Sequence, residues 1–217
     1  MLWTLLPHLT ACFVGEGVML LDLRQDRYFR LPASLGSTAR QWLEEPSDAP
    51  PQALLDLLER QGVVRAGDPP LSALATQIEI PEMLEAPATP DAFGTGEGLR
   101  IAAAVGSAWI ELKTRRLQSV VLARRRWRTA QPKLGDAVTR ERLAGYHRAR
   151  RLVPVAKNCL MDSLALDLWL GGSDLGRHLV FGVTLEPFLA HCWLQSPTMI
   201  LNDNYDHVRR YTPILRV

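Results

Sequence analysis

The stretch Asn158-Cys159-Leu160-Met161-Asp162-Ser163-Leu164-Ala165-Leu166-Asp167-Leu168-Trp169-Leu170 decides how this chain is read. Apolar residues crowd it, with Leu160, Leu164, Leu166 and Leu168 as core candidates, and Gly171-Gly172 follow as a stop. The pattern predicts a helix that begins near Cys159. A cysteine at a helix start lies among backbone N–H groups that have no intrahelical acceptor, and the helix dipole there favours a thiolate. The same N–H groups could stabilise a developing oxyanion. Cys159 is therefore a candidate nucleophile, and the chemistry next requires an imidazole and a group that orients it.

The residues downstream read as strands over 178–185, 188–195 and 199–202, with Ser196-Pro197-Thr198 as a turn signal. In an antiparallel hairpin centred on Pro197, His191 and Asp203 face each other, roughly 5 Å apart at Cβ. That is the spacing at which a carboxylate accepts the imidazole proton. A bulge would change it. Alternation turns Cys192 to the opposite face from His191, and Cys12 lies in an N-terminal strand, which leaves Cys159 as the candidate thiol. Each residue also has an ordinary reading. A cysteine before an apolar helix serves as a small buried hydrophobe, a strand histidine as a structural residue, and Asp203 as a turn residue between Asn202 and Asn204.

Upstream, strands are expected at Leu9–Val14 and Val18–Leu23 around a Gly15-Glu16-Gly17 turn, then at Tyr28–Leu31. Two helices follow, one from a Ser34 cap to about Glu44 and one over about residues 51–60, with Leu54, Leu55, Leu57 and Leu58 as its apolar face. Residues 66–98 hold five prolines and four glycines and read as a linker. Helical spacing returns over 99–127 and 136–152.

Charge is distributed in blocks. Residues 1–97 carry 6 Lys+Arg and 14 Asp+Glu, net −8; residues 98–157 carry 15 and 3, net +12; residues 158–217 carry 4 and 6, net −2. The clusters Arg115-Arg116, Arg124-Arg125-Arg126 and Arg148 to Arg151 are expected to be solvated helix faces, with docking of an acidic partner or of the acidic N-terminal domain as the main other option and nucleic-acid binding as a minor one. Three cysteines without Cys-x-x-Cys spacing argue against a disulfide framework or a structural zinc site. No apolar run reaches bilayer-spanning length, and Met1–Val14 is a poor signal peptide, interrupted by Pro7 and His8. A cytoplasmic protein is expected.

At the nucleophile stretch Asn158–Leu166 the chain resembles the B protein of lasso-peptide biosynthesis, a leader peptidase related to transglutaminases. Phe181-Gly182-Val183 and Phe188-Leu189-Ala190-His191-Cys192-Trp193-Leu194 are similar to that family's histidine segment. Leu201-Asn202-Asp203 is similar to its acidic segment, and Tyr211-Thr212-Pro213 to its closing strand. The likeness is dense over residues 155–215. Asp162 and Cys192 depart from it, standing where many members carry Arg and Ala.

The N-terminal unit resembles the winged-helix-like leader-recognition element of such pathways, through Leu21-Asp22-Leu23, Tyr28-Phe29-Arg30-Leu31 and Gly62-Val63-Val64. Members bind a leader as an added strand beside the third strand, against the last helix. Carried over, the leader-binding residues are Arg27, Tyr28, Phe29, Arg30 and Leu31 with Leu54 and Leu58. Tyr28 and Phe29 fit an ordinary core equally well.

The resemblance implies an α+β chain: a winged-helix-like recognition domain over 1–66, a linker over 67–98, and a transglutaminase/papain-like cysteine peptidase domain over 99–217. It implies Cys159, His191 and Asp203 as a catalytic triad that hydrolyses the leader–core bond of a ribosomal precursor peptide. It implies an ATP-dependent lasso cyclase as partner, no metal or organic cofactor, and no nucleic-acid or membrane partner. The alternatives are a transglutaminase-like acyltransferase with the same triad, and a non-catalytic winged-helix protein that binds peptide or DNA.

Overall fold

The computed structural model describes residues 3–45, 49–67, 78–81, 95–130, 136–171 and 176–217. The expected linker lies outside these residues except at Gly67, at 78–81 and at its last four positions, which are already helical.

Gly15 and Glu16 form a two-residue turn, because Val14 pairs with Gly17. Gly15 has φ of 56°, a conformation that costs a residue with a Cβ. The turn joins β2 (Leu9–Val14) to β3 (Gly17–Asp22), and β4 (Arg27–Arg30) follows, giving a three-stranded sheet in the order β2-β3-β4. Two pairing strands escape the sequence pattern for want of length: β1 (Trp3–Leu5) and β5 (Val64–Ala66) are antiparallel partners from the two ends of the N-terminal segment. Between β4 and β5 lie α1 (Gly36–Glu44) and α2 (Gln52–Arg60). The expected Ser34 cap is not one. A single 3₁₀ turn over Ala33–Leu35 precedes α1, and neither start has a side-chain cap.

The N-terminal core gathers Leu9, Ala11, Val18, Leu20 and Leu31 from the sheet segment, Ala39 and Trp42 from α1, and Leu54 and Leu58 from α2. Leu54 and Leu58 are one helical turn apart, so both reach the same core.

The next segment is helical: α3 (Thr95–Thr114), α4 (Leu117–Ala130), α5 (Asp136–Arg150) and α6 (Cys159–Leu170). The single helix expected over 99–127 is broken at Arg115-Arg116. Thr114 donates its hydroxyl back to the Ile110 carbonyl (2.8 Å), and the Arg116 carbonyl accepts the amides of Ser119 and Val120 to start α4. The break lets Ile101, Val105 and Ala108 of α3 and Leu117, Val120 and Val121 of α4 all be buried, and Arg124 of α4 pairs with Glu111 of α3 across it. The basic clusters are therefore not uniformly solvated. Arg124 and Arg150 are 4% and 5% exposed, and each is paired with a carboxylate. Helix α6 packs mainly against α3 and α5, with Leu164, Ala165, Leu166 and Leu170 fully buried.

Strands β6 (His178–Leu185), β7 (Phe188–Gln195) and β8 (Thr212–Arg216) form a second three-stranded sheet in the order β7-β6-β8, with one-turn α7 (Tyr205–Val208) between β7 and β8. Being central, β6 is buried continuously from Leu179 to Val183.

The chain divides into two compact units, neither contiguous in sequence. One comprises Met1–Ile78, Gly182–Leu189 and Thr212–Arg216; the other comprises Glu79–Phe181, Ala190–Tyr211 and Val217. Within the first, β8 packs on β2. The second holds Cys159, His191 and Asp203. None of the helices among the described residues is long and apolar enough to cross a membrane.

Candidate active site

Helix α6 starts at Cys159 because Asn158 caps it. The Asn158 carboxamide oxygen accepts the Met161 amide (3.1 Å), and Asp162 Oδ2 accepts the Asn158 amide in return (3.1 Å). Gly171, with φ of 60°, ends the helix. The Cys159 thiol at the helix tip lies where His191 and the backbone N–H groups of Leu160 and Cys192 act on it to favour its thiolate. Burial alone would disfavour the thiolate. The hydrogen bonds from His191 and the two amides outweigh it and hold the Cys159 thiol below its ordinary value.

His191 Nε2 donates to Asp203 Oδ2 at 2.6 Å, which leaves Nδ1 for the sulfur. Burial pulls the imidazole down, but the hydrogen bonds to Asp203 and Cys159 and their charges push it up to about 9. For Asp203, burial acts upward and is outweighed by N–H donors from His191, His207 and Asn204, so the carboxyl is held below its usual range. Sulfur, imidazole and carboxylate thus stand in sequence, with charged forms that support one another.

The expected register that set His191 directly across from Asp203 is off by one. The turn is longer: Ser196 donates its amide to the Met199 carbonyl (2.8 Å), Gln195 pairs with Ile200, and Leu201 donates to Leu194 (2.8 Å). The strand expected over 199–202 is reduced to that bridge. Asn202 ends it by accepting the Leu194 amide on its own side-chain oxygen (2.7 Å) in place of a further ladder bond. Asp203 lies on the bend beyond, and it reaches His191 by its side chain rather than as a strand partner.

Ser163, fully buried one turn after Cys159, ties the pieces together. Its hydroxyl lies 2.7 Å from the Cys159 carbonyl and 3.2 Å from that of Cys192, and it accepts the Asn202 amide at 2.7 Å. Cys192 takes part only through its backbone. Its buried thiol lies against Ser163, and burial pushes it well above its ordinary value. Cys12 is likewise buried and pushed up to about 12.

One residue of the site was not read from the sequence. His207 of α7 lies with Nδ1 2.9 and 3.0 Å from the two oxygens of Asp203. Its signal was present as a histidine four positions after the aspartate, but the stretch reads as turn. Rings surround His191: Trp193 stacks at 5.9 Å between centroids, Tyr211 lies at 5.0 Å and His207 at 4.7 Å. Ligand atoms of His191, Asp203 and His207 fall within 4.8 Å of one another, a grouping a metal could use. The spacings of 2.6 and 2.9 Å are those of hydrogen bonds from imidazole N–H groups to the carboxylate, which is how the three side chains are joined here.

Of the residues expected to hold an added strand, Leu31, Leu54 and Leu58 are 4%, 0% and 1% exposed and packed in the N-terminal core, so they have no surface to offer a peptide. Arg27 and Arg30 are exposed, and Tyr28 and Phe29 half-buried. Strand β4 is outermost in its sheet.

The family model described as the transglutaminase-like superfamily matches residues 75–216. No curated protein and no solved structure matches the chain.

Proposed function

The chain belongs to the transglutaminase-like superfamily, and from that premise we propose that it is a cysteine peptidase that removes the leader of a ribosomal precursor peptide during lasso-peptide maturation. Members of the superfamily are generally cysteine-dependent enzymes. The observation that carries the proposal is the line from the Cys159 sulfur at the tip of α6 through His191 to Asp203.

In the proposed reaction the Cys159 thiolate attacks the carbonyl carbon of the scissile peptide bond. Amides at the start of α6 face the oxygen as it gains charge. The His191 imidazolium gives its proton to the leaving amine as the C–N bond breaks, and a thioester remains on Cys159. His191, now neutral, takes a proton from water, whose oxygen attacks the thioester and releases the new carboxylate. Asp203 fixes the imidazole and supports its charged form throughout.

The substrate class rests on the resemblance of Asn158–Leu166, Phe188–Leu194 and Leu201–Asp203 to the lasso-pathway leader peptidases. The outermost position of β4, with exposed Arg27 and Arg30, supports leader capture by strand addition. The freed core amine would pass to an ATP-dependent lasso cyclase, in the cytoplasm.

The test is mass spectrometry of a leader–core precursor peptide, sought among the genes beside that of this chain, incubated with the purified protein and a primary amine. Two fragments whose masses sum to the precursor plus one water support hydrolysis. A fragment carrying the amine would instead make the protein an acyltransferase. Cys159→Ala is expected to lower the rate at least about a thousandfold. Cleavage surviving that substitution rejects the proposal.

A further inference from the structure

We propose that His207 is a positioning residue of this site, whose Nδ1–H clamps the Asp203 carboxylate so that Oδ2 stays on His191. The inference rests on the Cys159–His191–Asp203 reading and adds a fourth member to it.

Three donors meet at one carboxylate. His191 Nε2 reaches Oδ2 at 2.6 Å, the Asn204 amide reaches Oδ1 at 2.8 Å, and His207 Nδ1 lies 2.9 Å from Oδ2 and 3.0 Å from Oδ1. A carboxylate only accepts, so His207 must carry its hydrogen on Nδ1. Because that hydrogen bridges both oxygens, it resists rotation of the carboxylate plane, which Asn204 alone, bonded to one oxygen, does not. The donor is itself held. Asn204 accepts the His207 amide on its side chain (2.9 Å) and caps α7, and the Tyr211 hydroxyl lies 3.5 Å from His207 Nε2. His207 is 40% exposed at its side chain, against 15% for Asp203 and 11% for His191, so the network runs from a largely buried imidazole outward to water.

The groups facing His191 are Cys159 from α6, Asp203 from the bend, His207 from α7 and Tyr211 just after it; its neighbour on β7, Trp193, is uncharged. If His207 acts by orienting Asp203, its loss weakens support for the imidazolium, and His191 gives up its proton at lower pH. If His207 acted by its own charge, its loss would move that pH upward.

The probe is iodoacetamide, which needs no knowledge of the peptide substrate. Its rate of alkylation of Cys159, located by mass spectrometry, is followed against pH for the full chain and for His207→Ala, His207→Asn and Asp203→Ala. The Asn amide nitrogen sits two bonds beyond Cβ, as Nδ1 does, and keeps the donor. In the unaltered chain the alkaline step marks loss of the imidazolium beside the thiolate. His207→Ala is expected to lower that step by about one pH unit, a tenfold weaker hold on the proton, and His207→Asn to restore at least half the shift. An unmoved or raised step in His207→Ala overturns the proposal, as does a His207→Asn profile as altered as that of His207→Ala. If Asp203→Ala also leaves the profile unchanged, the triad reading fails with it; if Asp203→Ala shifts the step and His207→Ala does not, only the role of His207 is lost.

Discussion

Two opposite displacements at neighbouring residues define the chemistry available to Cys159. Its thiol is held below its ordinary value while His191 is pushed up to about 9, so the site favours the thiolate–imidazolium form of the pair. This is the pair of forms the proposed first step consumes: a nucleophile without its proton and an acid that still has one. The pH dependence follows with a definite sign. As pH rises through about 9 the imidazolium is lost, the leaving amine has no proton source, and kcat/KM falls. As pH drops through the depressed thiol value the nucleophile is protonated and kcat/KM falls again. A bell-shaped profile is expected, with its alkaline limb near 9, the two limbs belonging to the coupled pair rather than to either residue alone. A profile that instead rises steadily through pH 9 would mean that a free thiol, not an ion pair, does the work.

Helix α6 has to present its first residue firmly, and helix ends fray unless tied down. Here the tie comes from α5. Arg150 Nε donates to Asp162 Oδ1 at 2.5 Å, and its terminal nitrogens reach the carbonyls of Val153, Val155 and Ala156, the segment that leads into Asn158. The remaining Asp162 oxygen accepts the Asn158 amide. Replacing Arg150 by Met leaves a largely buried carboxylate and three carbonyls without their cation. The expected cost is about 3 kcal/mol, seen as a melting temperature lower by roughly 6–12 °C, together with slower alkylation of Cys159. An Arg150→Met protein that melts with the unaltered chain would show that the α6 start is held by its own cap alone. Asp162 is also one of the two departures from the lasso-pathway resemblance, and its partner explains it locally: the acid at 162 is matched by the base at 150. At this scale the sequence was legible wherever a periodic run had a chemical stop. Helix α6, with Asn158 before it and Gly171 after, and strands β6 and β7 stand at their expected bounds. Illegible were features set by contacts distant in sequence. The break at Arg115-Arg116 depends on two buried faces, the hairpin register on one extra turn residue and the side chain of Asn202, and the β1–β5 pair on strands too short to show a period. His207 was hidden although its partner is only four positions away, because a one-turn helix has no periodicity to read.

For the molecule as a whole, the question is what the acidic N-terminal segment adds to a site that already holds its own thiol, imidazole and carboxylate. A thiolate–imidazolium pair has little means of choosing one peptide bond among many, so selectivity has to come from binding elsewhere on the substrate. The sheet β2-β3-β4 offers a means. Leu31 donates its amide to Val18 (3.0 Å), so by alternation the amide of Arg30 points away from β3, toward the outer edge of β4. A leader lying along that edge would gain main-chain hydrogen bonds, and tethering would turn cleavage into an effectively intramolecular event. Two outcomes follow for the intact chain. A core peptide carrying the same scissile bond but no leader should be cut with kcat/KM lower by about 10²–10⁴, and free leader added in trans should inhibit cleavage of the full precursor. Arg30→Pro, which removes the outward amide from an edge strand where proline is tolerated, should weaken leader binding about tenfold or more by fluorescence anisotropy and move the melting temperature little. Cys159 alkylation should be unaffected by that substitution, since the groups that act on its thiol are His191 and the amides of Leu160 and Cys192. Equal cleavage of leaderless and full-length peptides would remove the recognition role from the N-terminal segment while leaving the chemistry of Cys159 intact.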